Sequence, residues 1–334
     1  MTQPRTFALM LIVPLGLLYA SLFVGRFPVS PLQVAHILYA QIVPSTPDWP
    51  RSVETIVLEI RLPRAILAML VGAGLSISGA AYQGMFRNPL VSTDILGVTA
   101  ASGFGAALAL LLSRGAAELQ LIAFAFGLVG VGLTYLLARV YKTTPALMLV
   151  LSGIVVAAFF SALLSGAKYI ADPESKLPAI TYWLLGSLNA ASLRSLAVAL
   201  PPIFAGCIGL LLVRWKLNIL AMGDEEARAL GVRTEWLKGI VIVCTTLITA
   251  SAVSVCGMVG WVGLVIPHVG RMLVGPDHRY LLPATLSIGA AYLLFIDDVA
   301  RTVTATEIPL GILTAVVGAP FFAYLLRRTR GAWY

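Results

Sequence analysis

The sequence predicts an all-α chain that crosses a lipid bilayer about ten times. Three observations carry this. Apolar runs near the ~20 residues that a spanning helix needs recur along almost the whole length. Hydrophobic residues make up 59% of the 334 and charged residues only 11%, against about 25% charged in soluble domains. The basic residues fall between the apolar runs instead of gathering in one patch. The net charge of +8 is therefore a topology signal, not the footprint of a nucleic-acid partner.

In order, the runs cover residues 6–25, 56–82, 94–113, 117–140, 145–168, 192–213, 236–256, 258–270, 281–302 and 309–326. The first follows Arg5 and lacks a small-x-small cleavage site at its end, so it reads as a retained helix. The second opens near Arg61-Leu62-Pro63-Arg64, where proline suits a first turn. Gly72, Gly74, Ser78, Gly79 and Gly84 then place small residues along it for close packing in lipid. A tight turn follows at Gln83–Leu90, and Asp94 is expected to cap the third run, where Gly103 and Gly105 repeat the small-residue pattern. Cys207, Cys244 and Cys256 lie in the sixth and seventh runs without CxxC spacing or a His partner, and read as small buried residues. The eighth is short and Gly-rich, with Pro267 breaking it. It is expected to be a partial span buried by protein. His268, beside that proline, reads as a structural group before it reads as a ligand. The ninth ends at Asp297-Asp298-Val299-Ala300-Arg301, where an ion pair is in reach along the helix.

Of the 23 Lys and Arg residues, 14 fall at one set of run ends and 9 at the other. The first set is expected to be cytoplasmic, with both termini inside. Arg61, Arg64 and Arg301 oppose this trend. The outer connections at 27–55 and 169–191 are long. The first holds Pro28, Pro31, Pro44, Pro47 and Pro50, with a short surface helix expected at Leu32–Gln41. The longest inner connection is about 214–236, and residues 1–334 form one transmembrane domain.

That inner connection contains Gly223-Asp224-Glu225-Glu226-Ala227-Arg228-Ala229-Leu230-Gly231-Val232. Asp224 as a cap, acids on the positive helix end and Gly231 at the C-terminal turn predict a short helix outside the membrane. It is either a solvated connector or a rigid knob for a partner. Arg61 and Arg64 either snorkel to headgroups or meet acidic groups of an external protein. Arg301 either pairs with Asp297 and Asp298 or docks such a protein. The sequence has no GxxxxGK[ST], HExxH or GxSxG, so no ATPase or hydrolase chemistry and no metal site or cofactor is expected in this chain.

Arg61–Arg64, Gln83-Gly84, Arg87-Asn88-Pro89-Leu90 and Asp94–Gly97 together resemble the permeases of type II ABC importers for iron-siderophores, haem and vitamin B12. The likeness continues through Trp183–Ser187, Gly223–Val232, Gly260–His268, Gly275–Arg279, Asp298–Arg301, Glu307–Gly311 and Gly318–Phe322, over roughly residues 55–326. Thr93, Met258, Trp261 and Asp297 depart from the family's usual residues. The resemblance implies ten spans per subunit, a homodimer with one central pathway, two ATPases that bind ATP and Mg, and a substrate-binding protein on the outer side. It implies that Gly223, Asp224, Glu225, Glu226, Ala227, Arg228, Ala229, Leu230 and Gly231 form the ATPase-coupling helix. It implies that Arg61, Arg64 and Arg301 dock the binding protein, and by position that Thr143 and Thr144 form the cytoplasmic gate. The setting is the bacterial cytoplasmic membrane. The expected cargo is a metal chelate, iron-siderophore first, with haem, cobalamin or molybdate as alternatives. Two other classes remain open on residues alone. An ion-driven secondary transporter needs intramembrane acids facing a cavity, and a membrane-embedded enzyme needs a catalytic cluster at one depth.

Overall fold

The computed structural model describes residues 4–43, 48–139 and 143–328. Pro44, Pro47, Val140, Lys142 and Arg330 lie outside the described residues. The described chain forms helices α1 (Pro4–Phe23), α2 (Pro31–Ala40), α3 (Arg51–Thr55), α4 (Leu62–Phe86), α5 (Val98–Leu111), α6 (Ala116–Ala138), α7 (Ala146–Tyr169), α8 (Lys176–Leu185), α9 (Leu193–Leu220), α10 (Asp224–Ala229), α11 (Thr234–Cys256), α12 (Val262–Val274), α13 (His278–Thr302) and α14 (Leu310–Arg328). A π-helical stretch, Ile56–Arg61, joins α3 to α4, so that Arg51–Phe86 is one continuous rod.

Among the described residues, six helices are long and apolar enough to cross a membrane: the rod Arg51–Phe86, α6, α7, α9, α11 and α13. Four shorter apolar helices accompany them, Ile12–Phe23, Val98–Leu111, Val262–Val274 and Leu310–Leu325. Two of the expected runs start late for a backbone reason. Gly97 sits in the left-handed region (φ 79°) and is itself the N-cap of α5, so the helix begins at Val98. Asp94 does not cap it; its carboxylate accepts from the Thr99 hydroxyl instead. Likewise Trp261 (φ 67°) delays α12 to Val262.

The outer connections are more ordered than their prolines suggest. Ser30 and Gln33 form a capping box at α2, each side chain accepting the other's backbone N–H at 3.1–3.2 Å. This places the expected short helix at Pro31–Ala40. The connection 169–191 holds α8, which the sequence reading missed. Pro178 sits in its first turn, where no intrahelical donor is lost.

α4 is the axis of the bundle, packed by α13, α9, α11 and α12. Its glycines make that possible. A Cβ at Gly72 would lie 2.2 Å from the Gly289 carbonyl oxygen on α13, and one at Gly79 would lie 1.8 Å from that of Gly263 on α12. Backbones in contact replace the missing hydrophobic drive between helices in lipid. The rod and α11 have 78% of their most apolar window buried, whereas α6, α7 and α9 have only 28–33%. The apolar surfaces of those three helices therefore face outward, as a bilayer permits and water does not.

Candidate functional site

Two polar clusters sit at opposite ends of α4. Arg64 lies at its start and Arg87 caps its end, about 35 Å apart at 1.5 Å per residue. That is close to the ~30 Å thickness of a bilayer's hydrocarbon.

At the Arg64 end, all three expected arginines are buried, with 5% exposure at Arg61, 9% at Arg64 and 8% at Arg301. None snorkels outward. Arg61 donates to the carbonyls of Leu22 (2.8 Å) and Phe27 (2.6 Å), tying the end of α1 to the rod. Arg64 forms a two-bond fork with Asp297 (2.9 Å each) and donates to Glu307 (2.7 and 3.0 Å) and Asn189 (3.2 Å). Arg301 bonds Asp298, as its spacing allows, and also the carbonyl and hydroxyl oxygens of Ser21 (2.6 and 2.7 Å). Its Nε is 4.0 Å from Asp297. Asp297, the acid that departs from the family pattern, thus serves mainly Arg64. Beside this cluster opens a cavity of about 730 Å³, with Glu307, Asn189, Arg26, Gln120 and Trp183 on its wall.

At the other end stands α10. Gly223 takes φ 142° to start it, Gly231 takes φ 78° to end it, and the Val232 N–H closes the turn on the Ala227 carbonyl at 2.9 Å. Asp224, Glu225 and Glu226 occupy the first turn, on the positive end of the helix. Asp224 does not cap it. Its carboxylate is turned to Lys238 of α11. Ala227 is fully buried and seats the helix, while Glu225, Glu226, Arg228, Ala229 and Leu230 are exposed. The result is a short acidic knob with an apolar tip, Leu230 being 61% exposed.

Thr144 lies directly behind this knob and is buried; Thr143 is exposed. The Thr144 N–H and hydroxyl both donate to Glu235 (2.8 Å for the N–H), and its carbonyl accepts from Lys238 at 3.2 Å. The structure thus joins α10 to Thr144 through Lys238, with Glu235 holding the same threonine. Sequence reasoning counted Lys238 only as a cytoplasmic cation and did not single out Glu235. A signal was present: Lys238 is a lone cation among Trp236, Leu237, Ile240 and Val241, and a charge within an apolar run is usually paired. Nearby, Asn218 of α9 donates to Asp277 (2.7 Å) and accepts the His278 N–H (2.8 Å). The Arg279 guanidinium holds the Asp277 carboxyl well below the usual carboxylate range. His268 Nδ1 lies within hydrogen-bond reach of the Leu264 carbonyl (3.2 Å) and the Arg271 guanidinium (3.0 Å).

Comparison with known proteins gives a consistent neighbourhood. Over 93% of this chain and 91% of its relative, the sequence is 40% identical to the molybdate import system permease protein MolB of Haemophilus influenzae. It is 44% identical to a Helicobacter pylori permease protein named for iron chelatin transport, over 84% of this chain and 85% of the relative. Among solved structures, the inward-facing conformation of a metal-chelate type ABC transporter superposes with a TM-score of 0.88 at 37% identity, over 98% of this chain and all of that one. The model of the FecCD transport family matches residues 10–328, and the chain belongs to that family of ABC transporter permeases.

Proposed function

We propose that this chain is the membrane-spanning subunit of an ATP-driven importer that carries a metal chelate, iron-siderophore first, into the cytoplasm by alternating access. One observation supports the reading above the others. The exposed acidic knob α10 is wired through Lys238 to Thr144, at the end of the bundle opposite the buried arginines. A partner that pushes on α10 acts on the start of α7, and differential contacts with nucleotide select which way the pathway opens.

On this reading two copies of the chain surround the pathway, and two ATPases supply ATP and Mg chemistry below. A substrate-binding protein delivers the chelate above. The chain sits in the bacterial cytoplasmic membrane with both termini inside. Residues Gly223–Gly231 are the ATPase contact, and Thr143 and Thr144 are the gate. Docking of the binding protein falls to the Arg61, Arg64 and Arg301 end. Because Arg64 and Arg301 already hold internal acids and Arg61 holds backbone carbonyls, an arriving carboxylate would compete with Glu307 for Arg64 or with Asp298 for Arg301. The chain itself carries transport, not catalysis. Similarity to a molybdate permease makes molybdate the second cargo to test, ahead of haem and cobalamin. An ion-driven mechanism is less well supported, since the buried acid Asp297 is neutralised by Arg64 instead of facing a cavity.

The test is ATP hydrolysis by the complex in lipid vesicles, with binding proteins loaded in turn with ferric siderophore, haem, cobalamin or molybdate. Stimulation by ferric siderophore alone supports the reading, and stimulation by another cargo reassigns it. Failure of any ATPase to associate overturns the importer assignment.

A further inference from the structure

Lys238 is a costly residue to bury. An ammonium at 1% side-chain exposure has lost its hydration and persists only where fixed acceptors replace it. It donates to acceptors on two other segments, the carboxylate of Asp224 at the first residue of α10 and the Thr144 carbonyl at 3.2 Å ahead of α7, and forms an ion pair with Glu235 Oε1 at 3.7 Å on its own helix. Glu235 then returns to the same threonine through its other oxygen, accepting the Thr144 N–H at 2.8 Å. The Thr144 residue is thus gripped at both its N–H and its C=O by opposite charges of one helix turn.

This arrangement has a mechanical consequence. Moving α10 away from Lys238 would strand a desolvated cation, whereas moving α10, the first turn of α11 and Thr144 together breaks none of these links. An exposed surface ion pair exerts no such constraint. The acid end of the strut, Asp224, is only partly exposed, and Arg228 Nε braces the carbonyl of the same residue at 3.1 Å.

We infer that Lys238 is a positioning residue for transport: it locks α10 and the Thr144 segment into one lever, so that displacement of the knob is delivered to the start of α7. The inference rests on the reading of α10 as the ATPase contact. It adds a residue, and a rigid connection, that this reading does not require.

The experiment uses the complete complex in vesicles and reads substrate taken up per ATP hydrolysed. Lys238→Met keeps the stem and removes the donors, and Lys238→Arg restores a charged donor. The Met variant is expected to lower the uptake-to-hydrolysis ratio about tenfold, within the usual range of a coupling change. The Arg variant should recover part of it. A merely structural lysine would lower the amount of assembled complex and leave the ratio alone, and an unchanged ratio in folded K238M overturns the inference. Should that variant not fold, spin labels at Met222→Cys, next to the start of α10, and Leu147→Cys in the otherwise native chain decide the matter. The three native cysteines are buried and the two label sites are exposed. Their separation should stay within about 2 Å, a helix shift, between nucleotide-free and ATP-bound states; a larger change overturns the lever. If no ATPase associates even with the unaltered chain, the parent reading fails and this one with it. An unchanged ratio in K238M, when the unaltered chain does bind its ATPase, defeats the lever alone, so the two failures are separable.

Discussion

A guanidinium can serve several acceptors at once, and Arg64 serves Asp297, Glu307 and Asn189 from a buried site. Its truncation leaves Asp297, 1% exposed, with only a distant Arg301 as counter-charge. Arg64→Ala is therefore expected to lower stability by about 3–5 kcal/mol, as removal of one partner from a buried pair does. Denaturant unfolding of the purified protein would measure it, and a loss below about 1 kcal/mol would show the pair to be dispensable. The Arg301–Asp298 pair was legible in the sequence because three residues on a helix bring side chains together. Arg64 with Asp297 was not, since 233 positions separate them and only the packing of α4 on α13 closes the gap. Lys238 falls between the two cases. Its isolation in an apolar run was a signal of pairing that went unused, and its partners Asp224 and Thr144 lie on two other segments that only folding brings to it.

At the scale of elements, small residues set how closely helices pack, and each glycine makes a distinct forecast. Gly79→Ala drives a Cβ into the Gly263 backbone, which cannot move aside as a flexible side chain would. It should destabilise by about 1–3 kcal/mol or more. Gly132→Ala meets nothing within 4 Å and should change little. Thermal unfolding of the two variants side by side is the check, and equal effects would refute the packing account. The knob α10 makes a different forecast. Glu225 and Glu226 are exposed and hold no neighbour of the bundle together, so reversing both to Lys should leave folding intact. On the proposed function the same change should abolish stimulated ATP hydrolysis and uptake; normal uptake with the ATPase bound would deny α10 its role. The helix itself was readable from its acids and flanking glycines. Its cap was misread because Asp224 had a stronger partner, a buried cation, than the N–H groups of its own first turn. Late starts of α5 and α12 escaped the sequence for a similar reason: hydrophobicity does not report the left-handed residues Gly97 and Trp261.

For the whole molecule, burial separates an inner pair of helices from an outer set. A photoreactive lipid probe should label α6, α7 and α9 heavily and α4 and α11 sparsely, in line with their 28–33% and 78% burial. Mass spectrometry of the labelled peptides would read this out. Protection of α7 alone among the outer helices would point to a partner, and on the proposed function that partner is a second copy. Strong labelling of α4 would contradict its place as the axis of the bundle.

The amino-acid sequence alone determined that this chain is helical and membrane-embedded, because lipid forbids unpaired backbone and so writes its demands as long apolar runs with charges between them; the permease class came from the resemblance of its ordered motifs to that family. It also determined where the knob and the arginines stand along the chain. Only the tertiary structure decided what those charges do. Pairing of Arg64 with Asp297 and of Lys238 with Asp224 and Thr144 depends on which helices touch and at what height. The contact of α4 with α13 is made by glycines such as Gly72 and Gly289, which look in sequence like Gly132 and differ from it in that another backbone arrives against them.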